Sequence, residues 1–326
     1  MAWRHKLRGF MCYLVVALLA LAALSARAEA RPPGPTVAET GPFAVKFRDV
    51  TSQDRVRMLM ALPGDTVTFE VADCEPGACY VARPAAGRIV PLGTARWVWT
   101  APLSPGFYPI QVVSPGEGDS VTLQAMVAVP YDQLQGELLN GYRIGQYPSE
   151  SFRGLSGYEP PAGFVEVTPT IEEIYVSPHF QLKQFLCKQP ADALKYVVLN
   201  ERLLLALEYV LELANEAGYQ ATTFHVMSGY RTPAYNRSLG NVRYSQHQWG
   251  AAADIFIDEN GDGVMDDLNG DGLSDVRDAD VLHGLIDAAA GRPDSQGLIG
   301  GLGRYPTTAA HGPFVHVDVR GRKARW

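Results

Sequence analysis

Short runs in which apolar and polar positions alternate fill the chain from Phe43 to about Val129, as in Thr66-Val67-Thr68-Phe69-Glu70-Val71 and Ala95-Arg96-Trp97-Val98-Trp99-Thr100. Pro-Gly and Gly-Asp turns separate them. A period of two at this spacing predicts the half-buried strands of an all-β sandwich over residues 41–130. Beyond residue 179 the period changes. Leu203, Leu204, Leu207, Val210, Leu211 and Ala214 recur at helical spacing within 201–217, and Gly218 follows as a stop. Residues 222–227 read as a strand, Pro233 opens a short helix, 280–290 is a second amphipathic helix and 314–319 a last strand. Strands and helices mixed in this way predict an α+β domain over 179–326. Between the two patterns, residues 131–178 are rich in Gly, Pro and Tyr and show no period, which reads as a connector, ordered or not.

The N-terminal segment fits neither pattern. Arg4, Lys6 and Arg8 precede an unbroken apolar run of fifteen residues, 10–24, that ends near Ala26-Arg27-Ala28. That order is the order of a secretory signal peptide, here 1–28, with 29–40 as a flexible lead-in. A membrane-spanning helix needs about 20 apolar residues, so no span is expected and the protein is expected in the periplasm or outside the cell. Cleavage removes four basic residues and no acidic ones, taking the formal charge from −7 to −11. Nucleic acid is then a poor partner. In an oxidising compartment Cys74 and Cys79, either side of the turn-forming Glu75-Pro76-Gly77-Ala78, are placed for a disulfide.

Chemistry concentrates in two segments. Ser245-Gln246-His247-Gln248-Trp249-Gly250-Ala251-Ala252-Ala253-Asp254 runs into the apolar Ile255-Phe256-Ile257. The offset from His247 to Asp254 is not helical, so a turn must bring the two side chains together. In Phe314-Val315-His316-Val317-Asp318-Val319, alternation puts His316 and Asp318 on one face of a strand and the three valines on the other. Two neutral imidazoles and one carboxylate would leave zinc a net charge near +1 and an open fourth position, the arrangement of hydrolytic sites. His179, His225 and His283 read as structural or surface residues.

Ser245-x-His247-x-x-Gly250-x-Ala252-x-Asp254, with the distant Phe314-Val315-His316-Val317-Asp318, resembles the zinc D-alanyl-D-alanine carboxypeptidase family, which includes related dipeptidases and murein endopeptidases. Ser228-Gly229-Tyr230-Arg231-Thr232-Pro233 with Asn236 is similar to the family's segment upstream of the first ligand. The likeness covers 179–326. It implies a fold of the hedgehog and DD-peptidase type, zinc held by His247, Asp254 and His316, and hydrolysis of peptide bonds in peptidoglycan. Arg231 is implied to grip a substrate carboxylate or an oxyanion. His311, five residues before His316, is implied to stabilise the charged intermediate or shuttle a proton. Where some relatives place a glutamate base, this chain has Pro313, which leaves Asp318 as an alternative base or as support for a ligand. The segment from Gly303-Arg304-Tyr305-Pro306 to Arg325-Trp326 is similar to a murein-endopeptidase subgroup and favours cross-link cleavage. The competing readings are a D-Ala-D-Ala carboxypeptidase or dipeptidase, and a zinc-containing wall-binding protein without activity.

Much of the negative charge lies in residues 258–280, nine acidic residues against Arg277. Asp258-x-Asn260-x-Asp262-Gly263 and Asp267-x-Asn269-x-Asp271-Gly272 repeat the first half of a calcium loop. Asp266 and Asp275 fall at the ninth positions and Asp278 at the twelfth of the second loop, so Ca²⁺ is expected as an additional ligand of this insertion.

Overall fold

The computed structural model describes residues 40–326 apart from 49, 75–77, 115–118, 192–193, 293–294 and 296. The expected signal peptide and the lead-in up to residue 39 lie outside the described residues.

Two sheets form the first half of the chain. One contains β1 (Thr40–Phe47), β2 (Val50–Asp54), β4 (Thr66–Val71), β6 (Arg88–Pro91) and β7 (Arg96–Thr100), in the order β2-β1-β4-β7-β6. The other contains β3 (Val56–Ala61), β5 (Val81–Pro84), β8 (Gly106–Phe107), β9 (Ile110–Val113) and β10 (Ser120–Val127), in the order β3-β10-β9-β5 with β8 beside β10. Alternation decides what they bury: Val45, Phe47, Val67, Phe69, Trp97, Trp99, Ile110, Val112, Val121 and Leu123 share one apolar cluster, and their polar neighbours face out. Cys74 packs half-buried against this cluster, and Cys79 is exposed.

Residues 131–178 are not a free linker. β11 (Val129–Pro130), β14 (Gly163–Val167) and β15 (Lys195–Val197) form a three-stranded sheet, and β12 (Leu138–Leu139) pairs with β13 (Tyr142–Arg143). Tyr142, Tyr147, Tyr158 and Phe164 are buried in the same large cluster as the C-terminal residues. The Tyr- and Gly-rich composition hid this, because turns and isolated aromatic anchors carry no period.

The last part is layered. β16 (His225–Ser228), β17 (Ala252–Phe256), β18 (Gly301–Tyr305), β19 (Phe314–Asp318) and β20 (Ala324–Arg325) form a sheet in the order β16-β17-β19-β18-β20. Helices α1 (Glu201–Glu216) and α3 (Val276–Ala290) pack against each other, and α3 against β18 and β19; α2 (Pro233–Ser238) is a single short turn. Asn200 caps α1 by accepting the Arg202 N–H, and the leucine stripe of α1 is buried. Glu201, the first residue of α1, also ties the two halves: its carboxylate accepts the Met60 N–H at 2.9 Å and Arg48 at 2.8 Å. The described residues pack as one compact unit, and none of their helices is long and apolar enough to cross a membrane.

The acidic insertion uses its carboxylates on itself. Asp258 accepts the N–H groups of Asp262 and Gly263, and Asp267 those of Gly270, Asp271 and Gly272. Asp275 and Asp278 form the capping box of α3; Asp278, fully buried, also accepts the N–H groups of Leu268 and Asn269. Asp266 accepts the Glu259 N–H, and Arg277 pairs with Asp271 and Asp275. The ninth and twelfth positions expected for calcium are therefore helix caps and turn acceptors. Among the described residues, no three His, Cys, Asp or Glu side chains of the insertion come together as a metal site. Asp278→Ala leaves three partly buried N–H groups without their acceptor, and a loss of about 2 kcal/mol in urea unfolding is expected. A loss below about 0.5 kcal/mol, the range of ordinary surface changes, would contradict that role.

Candidate metal centre

Backbone register places the first two donors. β17 runs antiparallel to β19 with Asp254 directly opposite His316, and Ser228 of β16 lies across from Asp254 on the other side. Directly opposed residues hold their Cβ atoms about 4.5–5.5 Å apart, so a carboxylate and an imidazole meet there without a loop to position them. His247 arrives differently, from a 3₁₀ turn, Gln246–Trp249, closed by Gly250 in the left-handed conformation at φ 59°. A Cβ on Gly250 would lie 2.0 Å from the Val198 carbonyl oxygen, so only glycine lets the turn sit this close to the neighbouring chain. Trp249 packs in the core as expected, its Nε1–H donated to the Glu159 carbonyl at 2.7 Å.

The three side chains converge. His316 Nδ1 lies 2.8 Å from Asp254 Oδ1, His247 Nε2 lies 3.2 Å from the same oxygen, and the two ring nitrogens are 3.2 Å apart. Among the described residues these three are the one group of His, Cys, Asp or Glu that could hold a metal, and all three are buried. What surrounds them fixes which atoms face inward. His247 Nδ1 donates to the Gly229 carbonyl at 2.7 Å, leaving Nε2 with its lone pair toward the centre. His316 Nε2 is 3.1 Å from Asp318 Oδ2, so it donates there and Nδ1 faces the centre. Orientation of each imidazole by an acceptor on its far nitrogen is the usual outer support of a metal ligand.

Charge agrees with that geometry. Burial holds the His247 imidazole below its ordinary value, against the pull of Asp254. For Asp254 burial acts upward, but His247 and His316 outweigh it and hold the carboxyl well below the usual carboxylate range. Burial opposes charge on His316 too, yet hydrogen bonds to Asp254 and Asp318 hold it above its ordinary value. The pocket therefore favours positive charge at the point shared by Asp254 and His316, the charge a divalent cation would supply. Two nitrogens and one carboxylate oxygen fit zinc, and among the described residues no cysteine joins the group to close a structural site.

Two charged side chains flank the trio. Arg231 donates Nη2 to Asp254 Oδ2 and Nε to Ser228 Oγ at 2.8 Å. Its fork is engaged with the ligand carboxylate and holds Asp254 in place. Asp318 is fully buried and accepts Arg320 Nε at 2.8 Å and the Gly301 N–H at 2.9 Å. Burial acts upward on its carboxyl, but His316 and Arg320 hold it well below the usual range. A carboxylate so bound is a poor proton acceptor, and Asp318 serves to orient His316. His311 is not brought into the trio: its Nδ1 meets the Gly312 carbonyl oxygen at 2.8 Å and its ring edges Phe314 at 4.9 Å, one strand position pair from His316.

Other residues entered unannounced. Arg320 completes the Asp318 anchor, Gly301 makes room for that carboxylate, and Trp326 lies 5.3 Å from the His316 ring. Only the offset of two between Asp318 and Arg320, a shared strand face, hinted at the first of them. Tyr230, beside Arg231, is buried with its hydroxyl 3.1 Å from that of Tyr147.

A family model described as Peptidase M15 matches residues 178–268. Over this segment the chain is similar to the M15 peptidases. The matched range holds Arg231, His247 and Asp254, and the strand that carries His316 follows it in the chain. The M15 match is to the family that the two motifs resemble, one whose members are zinc-dependent. No curated protein matches the chain, and no solved structure matches it.

Proposed function

We propose that the chain is an exported zinc peptidase that hydrolyses peptide bonds in peptidoglycan stem peptides or their cross-links. One observation carries the reading: the far nitrogen of each imidazole is engaged by a fixed acceptor, which turns His247 Nε2 and His316 Nδ1 toward Asp254 Oδ1. Zinc held by those three atoms would supply Lewis-acid polarisation of a peptide carbonyl and a water of lowered pKa. Arg231 keeps Asp254 aimed and ionised, while Asp318, neutralised by Arg320, keeps the His316 proton away from the inner nitrogen. His311, resting on Phe314 in the same strand face as His316, is assigned to the charge that develops on the attacked carbonyl or to proton transfer. Stem peptides suit the site because the M15 family acts on such bonds, and the expected signal peptide would deliver the protein to them.

Incubation of the mature protein with purified sacculi, with and without a chelator, tests the proposal through the muropeptides released. Zinc-dependent appearance of cleaved cross-links is expected. Bound zinc with unchanged muropeptides would instead favour a wall-binding protein without activity, and loss of terminal D-alanine alone would favour a carboxypeptidase.

A further inference from the structure

Two pieces of backbone set the aim of His247: the 3₁₀ turn Gln246–Trp249 that carries its ring, and the segment 229–231 that takes its outer proton. Two hydrogen bonds join them directly, His247 Nδ1–H to the Gly229 carbonyl at 2.7 Å and the Arg231 N–H to the His247 carbonyl at 3.1 Å. A third link comes from the connector. The Ala234 N–H at the start of α2 donates to the Ile144 carbonyl at 3.0 Å, and Gly145 permits the approach, since a Cβ there would lie 2.6 Å from the Ala234 nitrogen. Two residues on, the buried Tyr147 brings its hydroxyl to 2.8 Å from the Gln248 carbonyl oxygen and 3.1 Å from the Tyr230 hydroxyl.

The direction of these bonds follows from the groups themselves. A phenol has one proton to give and a carbonyl can only accept, so Tyr147 donates to Gln248 and Tyr230 donates to Tyr147. The neighbour of Gly229 is thereby bridged to the neighbour of His247. Burial pushes both phenols well above their ordinary value, so each keeps the proton that the bridge needs. Packing does not ask for that hydroxyl. Trp249, Tyr131 and Phe164 surround the Tyr147 ring with centroids 5.8, 6.0 and 6.3 Å away, and a phenylalanine would fill the same space without an oxygen to desolvate. We propose that Tyr147 is a positioning residue for the metal centre, whose hydroxyl fixes the turn against the segment 229–231 so that His247 Nδ1 stays on the Gly229 carbonyl and Nε2 faces Asp254. The inference rests on the zinc reading above and extends the centre into the connector.

The test compares Tyr147→Phe with Tyr196→Phe, which removes another buried phenol whose partners, Glu166 and Asn140, belong to neither segment. Zinc affinity, measured against a chromophoric chelator, is expected to fall about tenfold in Tyr147→Phe, the low end for a hydrogen-bonding neighbour of a ligand, because the backbone of the turn and not the ring loses its partner. Tyr196→Phe keeps the wild-type affinity. The d–d bands of the cobalt-substituted protein shift in the first variant and not in the second. Metal-free protein with isotopically labelled histidine supplies a readout that needs no metal: the His247 Nδ1 proton, assigned by its absence in His247→Gln, exchanges slowly in the wild type and in Tyr196→Phe, and its signal is lost to exchange in Tyr147→Phe. Equal falls of affinity in the two phenol variants, or a His247 signal that survives in Tyr147→Phe, overturns the assignment. If the wild type binds no zinc the zinc reading fails, and the His247 proton of the metal-free protein still decides whether Tyr147 holds the turn.

Discussion

Asp254→Ala is expected to strip zinc from the protein and to lower the release of cleaved muropeptides by roughly 10³-fold, the equivalent of losing several kcal/mol of transition-state stabilisation. The size follows from what remains. Asp254 is the only anion among the three donors, and its second oxygen is the anchor of Arg231. Without it two neutral imidazoles face a guanidinium that is only 14% exposed and has lost its partner. The variant thus exchanges an anionic site for a cationic one, which repels a divalent ion. Zinc content by atomic absorption and turnover on sacculi measure the two effects together. Stoichiometric zinc with turnover within tenfold of the wild type would remove Asp254 from the centre.

How much of this was legible depended on whether a signal was carried by neighbours in sequence. The strand Phe314–Asp318 announced its two faces by alternation, and Val315 and Val317 are fully buried opposite His316 and Asp318. Helix Glu201–Glu216 was marked by its leucine spacing and by Gly218. The convergence of His247 on Asp254 required a turn, and Gly250 supplies it with a positive φ. Roles set by tertiary register were hidden. That Asp318 is an anchor depends on Gly301, a residue from a strand of the type Gly-Leu-Gly, whose lack of side chains gives no pattern to read. The contacts of Arg231 were hidden because nothing nearby in sequence shows that Ser228 and Asp254 flank it across two strands. In the acidic insertion the repeated Asp-x-Asn-x-Asp-Gly is real, but the same residue types also cap helices and close turns, and there the local backbone N–H groups took the carboxylates.

Asp318→Asn separates the orienting role from that of a general base. The amide can still accept from Gly301, but it carries no charge to hold Arg320, and its NH₂ then stands where Oδ2 accepted the His316 Nε2–H, so that donor faces donor. The His316 proton is then free to settle on Nδ1, the nitrogen that faces Asp254. Zinc affinity, measured against a chromophoric chelator, is expected to fall by roughly 10–100-fold, with kcat/KM falling in parallel. Unfolding in urea is expected to show a further loss of about 3 kcal/mol, the lower end for breaking a buried ion pair. Lengthening the side chain does not rescue it: Asp318 Oδ2 already lies 2.2 Å from where a Cβ on Gly301 would stand, so Asp318→Glu has no room in which to bend back. A base would behave in the opposite way. Its loss would leave zinc affinity and stability near the wild type while turnover collapsed, and that pattern would return Asp318 to the chemistry and leave His316 to be oriented by Asp254 alone.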